Sequence, residues 1–474
     1  MISESTLLEQ YPADVPVEAA AVARTRTSRT PVLIVLDDDP TGTQSVADLP
    51  VLTAWSEDDL RWALGTGAPA VYVLTNTRSL APETAAARTR EIVGNALAAS
   101  GALDLPVAFV SRGDSTLRGH FPLETDEITA AVGAAVDAVL LVPAFPDAGR
   151  VTLGGVHYMR APEGLQPVAE TEFARDSTFG YAHSDLREWV QEKTGGRWSA
   201  EQVVTLDLST IRAGAEAIAA VLAPLTGGVP VVVDAVTEDD LRLLALGLAA
   251  AEEAGARLLY RVGPPFVRAR IGQAVHPPLT SAEIFPEASP ADSVRGGLVV
   301  VGSHVGLTSR QLARLADTGT LGATLEIDVD AAVDPARAGA HLAEVVEQAV
   351  AALADGDVAV HTSRSLRRAL DPQESLDISR RVSAAVVAVV QGVLARVRPR
   401  FVIAKGGITS SDVASEGLRI RRAIVRGPML PGIVSLWEPV EGPAAGIPYI
   451  VFAGNVGDDD SLAQVAATLR APAR

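Results

Sequence analysis

No cysteine occurs among the 474 residues, so disulfides, thiolate metal sites and cysteine nucleophiles are excluded together. Lysine is nearly missing: Lys193 and Lys405 are the only two among 40 basic residues, and the rest are arginine. The seven histidines are scattered without metal-ligand spacing, so a structural zinc site is not expected. Positive charge is in deficit, with 58 acidic residues and a formal net charge of -18. That balance argues against nucleic-acid and acidic-membrane partners, and an anionic substrate must be met by arginines gathered locally. No stretch offers about twenty uncharged apolar residues, and the first thirty, with Glu4 and Glu9, lack a signal-peptide core. A cytoplasmic protein is the expectation.

Hydrophobic residues make up 48% of the chain, enough for two or three domains to bury real cores. Residues 1–28 are polar and alanine-rich and read as a loosely held N-terminal arm. From residue 31, short apolar runs alternate with Ala-rich amphipathic segments. This rhythm predicts an α/β fold of two domains, each with a largely parallel sheet flanked by helices, and a cleft between them. Strands are predicted at 32–36, 70–74, 107–110, 138–142, 203–207, 230–233 and 257–261. After a break they resume at 298–302, 323–327, 357–361, 400–404, 432–436 and 449–453. The stretch 146–200, rich in Gly, Thr and charge, reads as a long insertion over one edge. The stretch 274–297, with His-Pro-Pro and Pro-Glu-Ala-Ser-Pro, reads as a flexible linker between a first domain at 29–273 and a second at 298–474.

The run Pro-Val-Leu-Ile-Val-Leu at 31–36 ends in three carboxylates, Asp37, Asp38 and Asp39, followed by Pro40-Thr41-Gly42. Such a strand end is where ligands bind in open α/β sheets, and the mutual repulsion must be offset by arginines, solvent, a metal or a helix dipole. The predicted strand 107–110 runs into Ser111-Arg112-Gly113-Asp114-Ser115-Thr116-Leu117-Arg118. Arg112 and Arg118 present planar forks that match a substrate carboxylate, with Asp114 and Ser115 suited to hydroxyl groups. The plainer alternative pairs both arginines with Asp37 to Asp39. Asn76, in Leu-Thr-Asn-Thr-Arg, adds a further polar strand end. An Asp-x-Asp-x-Thr reading of the acidic loop would make the chain a haloacid dehalogenase-like phosphatase using Asp37 and Asp39. The remaining parts of that motif would have to lie in the second domain, which speaks against it.

Three loops of the second half carry glycine or small polar residues before a predicted helix: Gly302-Ser303-His304, Lys405-Gly406-Gly407-Ile408-Thr409, and Gly454-Asn455-Val456-Gly457. Glycine lets backbone N–H groups approach an anion closely, so jointly the loops predict a phosphate or nucleotide site, with the lone Lys405 beside it. Neither a Walker-type loop nor a Gly-x-Gly-x-x-Gly after a strand is present, which disfavours ordinary P-loop kinases and Rossmann dehydrogenases.

Together, the Asp-Asp-x-Thr-Gly loop (Asp38, Asp39, Thr41, Gly42), the Asp-Ser-Thr-Leu-Arg-Gly run at 114–119, Gly-Pro-Pro-Phe at 263–266 and the three glycine loops resemble the four-carbon acid sugar kinase family. The resemblance covers about 31–467. It implies a sugar-acid domain followed by a nucleotide domain, and ATP-dependent phosphorylation of the terminal hydroxyl of 3-oxotetronate, threonate or erythronate. It further implies ATP contacts at Ser303, at Gly406, Gly407, Ile408 and Thr409, and at Gly454, with Lys405 and Asn455 in the same loops and Mg²⁺ on the phosphates. Asp38 and Asp39 are then the expected catalytic pair, and Arg112, Asp114, Ser115, Arg118 and Asn76 the expected sugar-acid contacts. A non-catalytic, nucleotide-dependent sugar-acid sensor would use the same two sites, and self-association into a homodimer is left open. Pro40 and Ile408 depart from the family's usual leucine and acidic residue, so the exact acid is left open too.

Overall fold

Five successive residues from Leu33 to Asp37 are buried in the strand Val32–Asp37, as an unbroken apolar run requires when both faces of a parallel sheet are covered. The structure, a computed structural model, describes residues 2–133, 136–286, 294–363 and 372–470. The chain divides into two units, Met1–Pro50 with Trp55–Val275, and Val51–Ala54 with His276–Arg474.

Up to residue 275 the strands run β1 (Val32–Asp37), β2 (Leu49–Leu52, its last two residues counted with the second unit), β3 (Ala70–Leu74), β4 (Val107–Arg112), β5 (Ala138–Val142), β6 (Arg150–Leu153), β7 (Val156–Ala161), β8 (Gly164–Pro167), β9 (Val204–Leu206), β10 (Val229–Val233) and β11 (Leu258–Val262). Seven of them form parallel neighbours in the order β3-β1-β4-β11-β5-β10-β9. These are the seven strands predicted there. The chain leaves β1 to one side for β3 and returns to the other side for β4, so the order reverses about β1. The crevice outside the carboxyl ends of strands at such a reversal is the usual ligand site of an open α/β sheet. The predicted insertion at 146–200 contains a three-stranded antiparallel sheet of its own, β6-β7-β8.

The N-terminal segment is not the loose arm expected. Ile2 exchanges two backbone hydrogen bonds with Leu165, at 3.1 and 2.8 Å, and Arg160 grips Glu4 at 2.6 Å. Leu7, Leu8 and Tyr11 pack on a cluster containing Val151, Tyr158 and Leu165. Their apolar side chains anchor a stretch whose average composition reads as polar.

The second unit contains β12 (Leu298–Val301), β13 (Leu321–Ile327), β14 (Asp357–Thr362), β15 (Val402–Lys405), β16 (Arg422–Leu430), β17 (Ile433–Pro439) and β18 (Tyr449–Phe452), in the order β13-β14-β12-β15-β18-β17-β16. The first five neighbours are parallel, and β17 runs antiparallel to both β16 and β18. Here the order reverses about β12, which is flanked by β14 and β15. β16 was not foreseen, because Arg, Gly and Pro interrupt Arg-Ala-Ile-Val-Arg-Gly-Pro-Met-Leu; in the sheet its residues alternate between partial and full burial as far as Gly427. Residues 51–54, expected in the first domain, belong to this unit, where Thr53 donates its backbone N–H to the Arg421 carbonyl at 3.1 Å. The linker expected at 274–297 is partly built in: Leu279 is buried in the core of the second unit and bonds the Pro428 carbonyl at 2.8 Å. Residues 287–293 of that linker lie outside the described residues. Among the described residues no helix is long and apolar enough to cross a membrane.

Candidate active site

The carboxyl ends of β1, β3, β4 and β11 bring together a lattice of carboxylates and guanidinium groups. Asp37, the last residue of β1, is buried and ion-paired with Arg112, the last residue of β4 directly opposite in register. Arg112 also donates to the carbonyls of Asp39 and Gly113. Its guanidinium thus holds the aspartate loop, the pairing that the sequence offered as the plainer alternative to a substrate contact. Gly42 makes this packing feasible, because a Cβ there would stand 2.3 Å from both Asp37 and Arg112.

Asp38 is 1% exposed and is clasped by Arg78 through Nη2 at 2.5 Å and Nε at 3.2 Å, with Arg112 at 3.6 Å and Arg261 at 3.8 Å. Arg261 in turn pairs with Glu124 and bonds Ser111 Oγ at 2.7 Å, and Glu124 accepts from Thr77 Oγ1 at 2.5 Å. A buried charge is tolerated only when paired and hydrogen-bonded, and here every one of these groups is. Asp39 is the more open of the catalytic candidates, with its side chain 20% exposed. Its Oδ1 accepts from Thr41 N at 2.9 Å and Thr41 Oγ1 at 2.5 Å, capping the short helix Pro40–Ser45, and Arg78 lies 3.5 Å from Oδ2.

Neighbouring charge sets the three aspartates apart. Burial pushes Asp37 up to about 7, opposed by Arg112 and reinforced by Asp38 and Asp39. Burial acts the same way on Asp39, but Arg78, Arg112 and the two Thr41 hydrogen bonds outweigh it and hold the carboxyl below its ordinary range. Asp39 is thus an ionised acceptor at neutral pH. Asp37, enclosed and locked to Arg112, has no open face from which to attack phosphorus, which counts against the phosphatase arrangement.

Beyond this lattice, Asp114 pairs with Arg118 at 2.6 Å, and Arg118 lies 3.7 Å from Asp176 and over the ring of Phe173. Burial acts against the Asp114 carboxylate, but Arg78 and Arg118 hold it far below the usual range. Ser115 is nearly buried, and Asn76 sits in the left-handed region at φ 56° beside Arg78. A narrow pocket opens here, lined by Asp114, Leu117, Leu141, Pro143, Leu186, Trp189, Arg261 and Val262. Arg78, Glu124 and Arg261 were missed by sequence reasoning. Arg78 closes the Leu-Thr-Asn-Thr-Arg run, and Arg261 interrupts the apolar strand Leu-Leu-Tyr-Arg-Val; a charge inside a parallel strand was the available signal.

In the second unit, Ser303 follows β12, Gly406 follows β15 and Gly454 follows β18. A Cβ on Gly302 would stand 2.1 Å from Thr409 Oγ1, one on Gly406 3.0 Å from the same atom, and one on Gly454 2.6 Å from Ser303 Oγ. Thr308 ties the group by donating to the Gly454 carbonyl at 2.9 Å. The three expected loops therefore meet, with Ser303, Gly406, Thr409 and Gly454 at their junction. Ile408 is 64% exposed and Asn455 is exposed beside them, and Gly407 opens the helix Gly407–Asp412.

Lys405 departs from its expected place next to phosphates. It is fully buried, donating Nζ to the Ala453 carbonyl at 2.6 Å over the ring of Phe452. Burial pushes its ammonium down from an ordinary 10.5 to about 7. Between those values the unfolded chain binds the proton and the folded chain does not, so stability rises with pH, with a slope of at most about 1.4 kcal/mol per pH unit. Lys405→Met removes this contribution, and urea unfolding followed from pH 7 to 10 will show a flatter rise than the unaltered protein.

The sequence carries two family matches. The model of a sugar-binding N-terminal domain covers residues 33–270, and that of a nucleotide-binding C-terminal domain covers residues 298–462. A 3-oxo-tetronate kinase of Methylobacterium radiotolerans is 28% identical over 82% of this chain and 83% of its own length. A D-erythronate kinase of Heliobacterium modesticaldum is also 28% identical, over 64% of this chain and 62% of its own length. In structure, a protein of Salmonella typhimurium LT2 superposes with a TM-score of 0.66 at 18% identity, covering 91% of this chain and 98% of the other, a likeness of fold.

Proposed function

The chain belongs to the four-carbon acid sugar kinase family, and from that membership we propose that it transfers the γ-phosphoryl group of ATP to the terminal hydroxyl of a four-carbon sugar acid. It is a phosphotransferase acting on an alcohol group, and its second unit serves the nucleotide. Relatives named for 3-oxo-tetronate, D-erythronate and D-threonate each stand at 28% identity, so all three acids are substrates to be assayed.

One observation carries the reading: the ionised, partly open Asp39 stands at the carboxyl end of the strand about which the sugar-binding unit reverses its order. Asp39 accepts the proton of the substrate hydroxyl as that oxygen bonds to the γ-phosphorus and the bond to the ADP oxygen breaks. Arg78 and Asp38 fix its position. Arg118 and Asp114, beside the cavity, hold the acid, and the junction of Ser303, Gly406, Thr409 and Gly454 receives the nucleotide's phosphates. Among the described residues no group of three or more carboxylates or imidazoles is arranged for a metal. Magnesium would enter with ATP, held by the phosphates, whose charge it offsets.

The test is incubation with ATP and Mg²⁺ and a panel of four-carbon acids, reading ADP. Acid-dependent ADP formation supports the kinase. Hydrolysis of a phosphorylated acid without nucleotide would support the phosphatase instead, and binding of both ligands without turnover would support the sensor.

A further inference from the structure

Arg150 is the arginine at this edge whose charge the protein leaves unmatched. Arg78, Arg112, Arg118 and Arg261 each form at least one ion pair with a carboxylate. Arg150 forms none among the described residues. Its side chain makes a single hydrogen bond, from Nη1 to the Ala148 carbonyl at 2.6 Å, and its Nε is buried without an acceptor. A half-buried guanidinium with an orphaned donor is a costly arrangement unless an anion completes it.

Its position is fixed by the backbone. Phe145 and Arg150 exchange two backbone hydrogen bonds, at 2.8 and 2.9 Å, so the chain turns back directly after β5 and begins β6 at the same sheet edge as Asp114. Arg150 and Thr152 share a face of β6, because side chains alternate along a strand. Thr152 lies opposite His157 of β7 and bonds its Nδ1 at 2.9 Å, while His157 Nε2 donates to the Ser115 carbonyl at 2.8 Å. That face of the small sheet therefore meets the 114–118 loop. Asp114 and Arg118 both act on the charge of Arg150, and Arg118 already shares itself between Asp114 and Asp176.

The geometry points to Arg150 as the ligand that, with Arg118, grips the carboxylate of the sugar acid and so selects acids over neutral polyols. This rests on the kinase reading above and adds a residue from the 146–200 segment to it. The two guanidinium groups supply the planar donor forks that a carboxylate matches, and the substrate anion offsets the charge of Arg150 that no carboxylate among the described residues pairs with.

The test uses the full chain and its variants Arg150→Gln and Arg150→Lys, with steady-state kinetics for the preferred acid and for ATP. Calorimetric binding of the acid alone, and of the matching neutral tetritol, completes it. Loss of a charge-assisted hydrogen bond should raise the acid's KM and Kd about 10- to 100-fold in Arg150→Gln. The KM for ATP should stay within about twofold, the tetritol should lose nothing, and Arg150→Lys should restore part of the acid affinity. Unchanged acid affinity in Arg150→Gln, or an equal loss for acid and tetritol, overturns the assignment. An unchanged KM for ATP certifies that the variant is folded, and Arg150→Lys serves if the glutamine variant is not. Failure of the unaltered protein to form ADP sinks the kinase reading instead, and the calorimetry then decides on Arg150 by itself.

Discussion

Asp39→Asn should lower kcat by a factor of about 10² to 10⁴, the range a positioned general base supplies, while the KM values for acid and ATP change little. The substitution is a clean one for a structural reason. Asp39 caps the helix Pro40–Ser45 by accepting from Thr41, and asparagine caps as well as aspartate does. The fold of the loop is kept, and the lost feature is the anionic oxygen held ionised by Arg78 and Arg112. Steady-state rates over a pH series check it. Turnover equal to that of the unaltered protein would remove Asp39 from the chemistry and return the role to Asp38, which is enclosed and bound edge-on by Arg78.

Arg112→Leu should cost about 3–5 kcal/mol of stability, the usual penalty for stranding a buried charge by deleting its partner. Asp37 would lose its ion pair, Asp38 a neighbouring cation, and the Asp39 and Gly113 carbonyls a donor. Denaturant unfolding measures this directly. Adding Asp37→Asn to Arg112→Leu should recover part of the loss, because the stranded charge is then gone; a double variant no more stable than the single one would show that Arg112 acts through the carbonyls alone.

The parallel strands were legible in the sequence because a strand covered on both faces is an uninterrupted apolar run, and β1, β3, β5 and β18 are little else. β16 was not, since it alternates arginine with apolar residues and carries Gly427 and Pro428. Within the site, Asp38, Asp39, Arg118 and the glycine loops announced themselves as clusters along the chain. Arg78, Arg150 and Arg261 are single arginines far apart along the chain, and the sheet order together with the turn after β5 brings them to one edge. For Arg112 the sequence left two partners open, a substrate carboxylate and the aspartates, and only register across the sheet shows it against Asp37. Lys405 misled through position, because the last residue of a buried strand can turn its side chain onto a neighbouring aromatic ring as readily as outward.

The two lysines have a practical consequence as reporters of motion. One falls in each unit: Lys193 donates to the Gly180 carbonyl at 2.6 Å, and Lys405 is enclosed over Phe452. Lys193 is only partly covered and meets an acylating reagent in the folded state, whereas the reagent must wait for the surrounding structure to open before it reaches Lys405. Mass-spectrometric counting of acyl groups at Lys405 against those at Lys193, over time and in the presence of nucleotide, therefore reads the opening of the second unit against a built-in reference, with no residue introduced for the purpose.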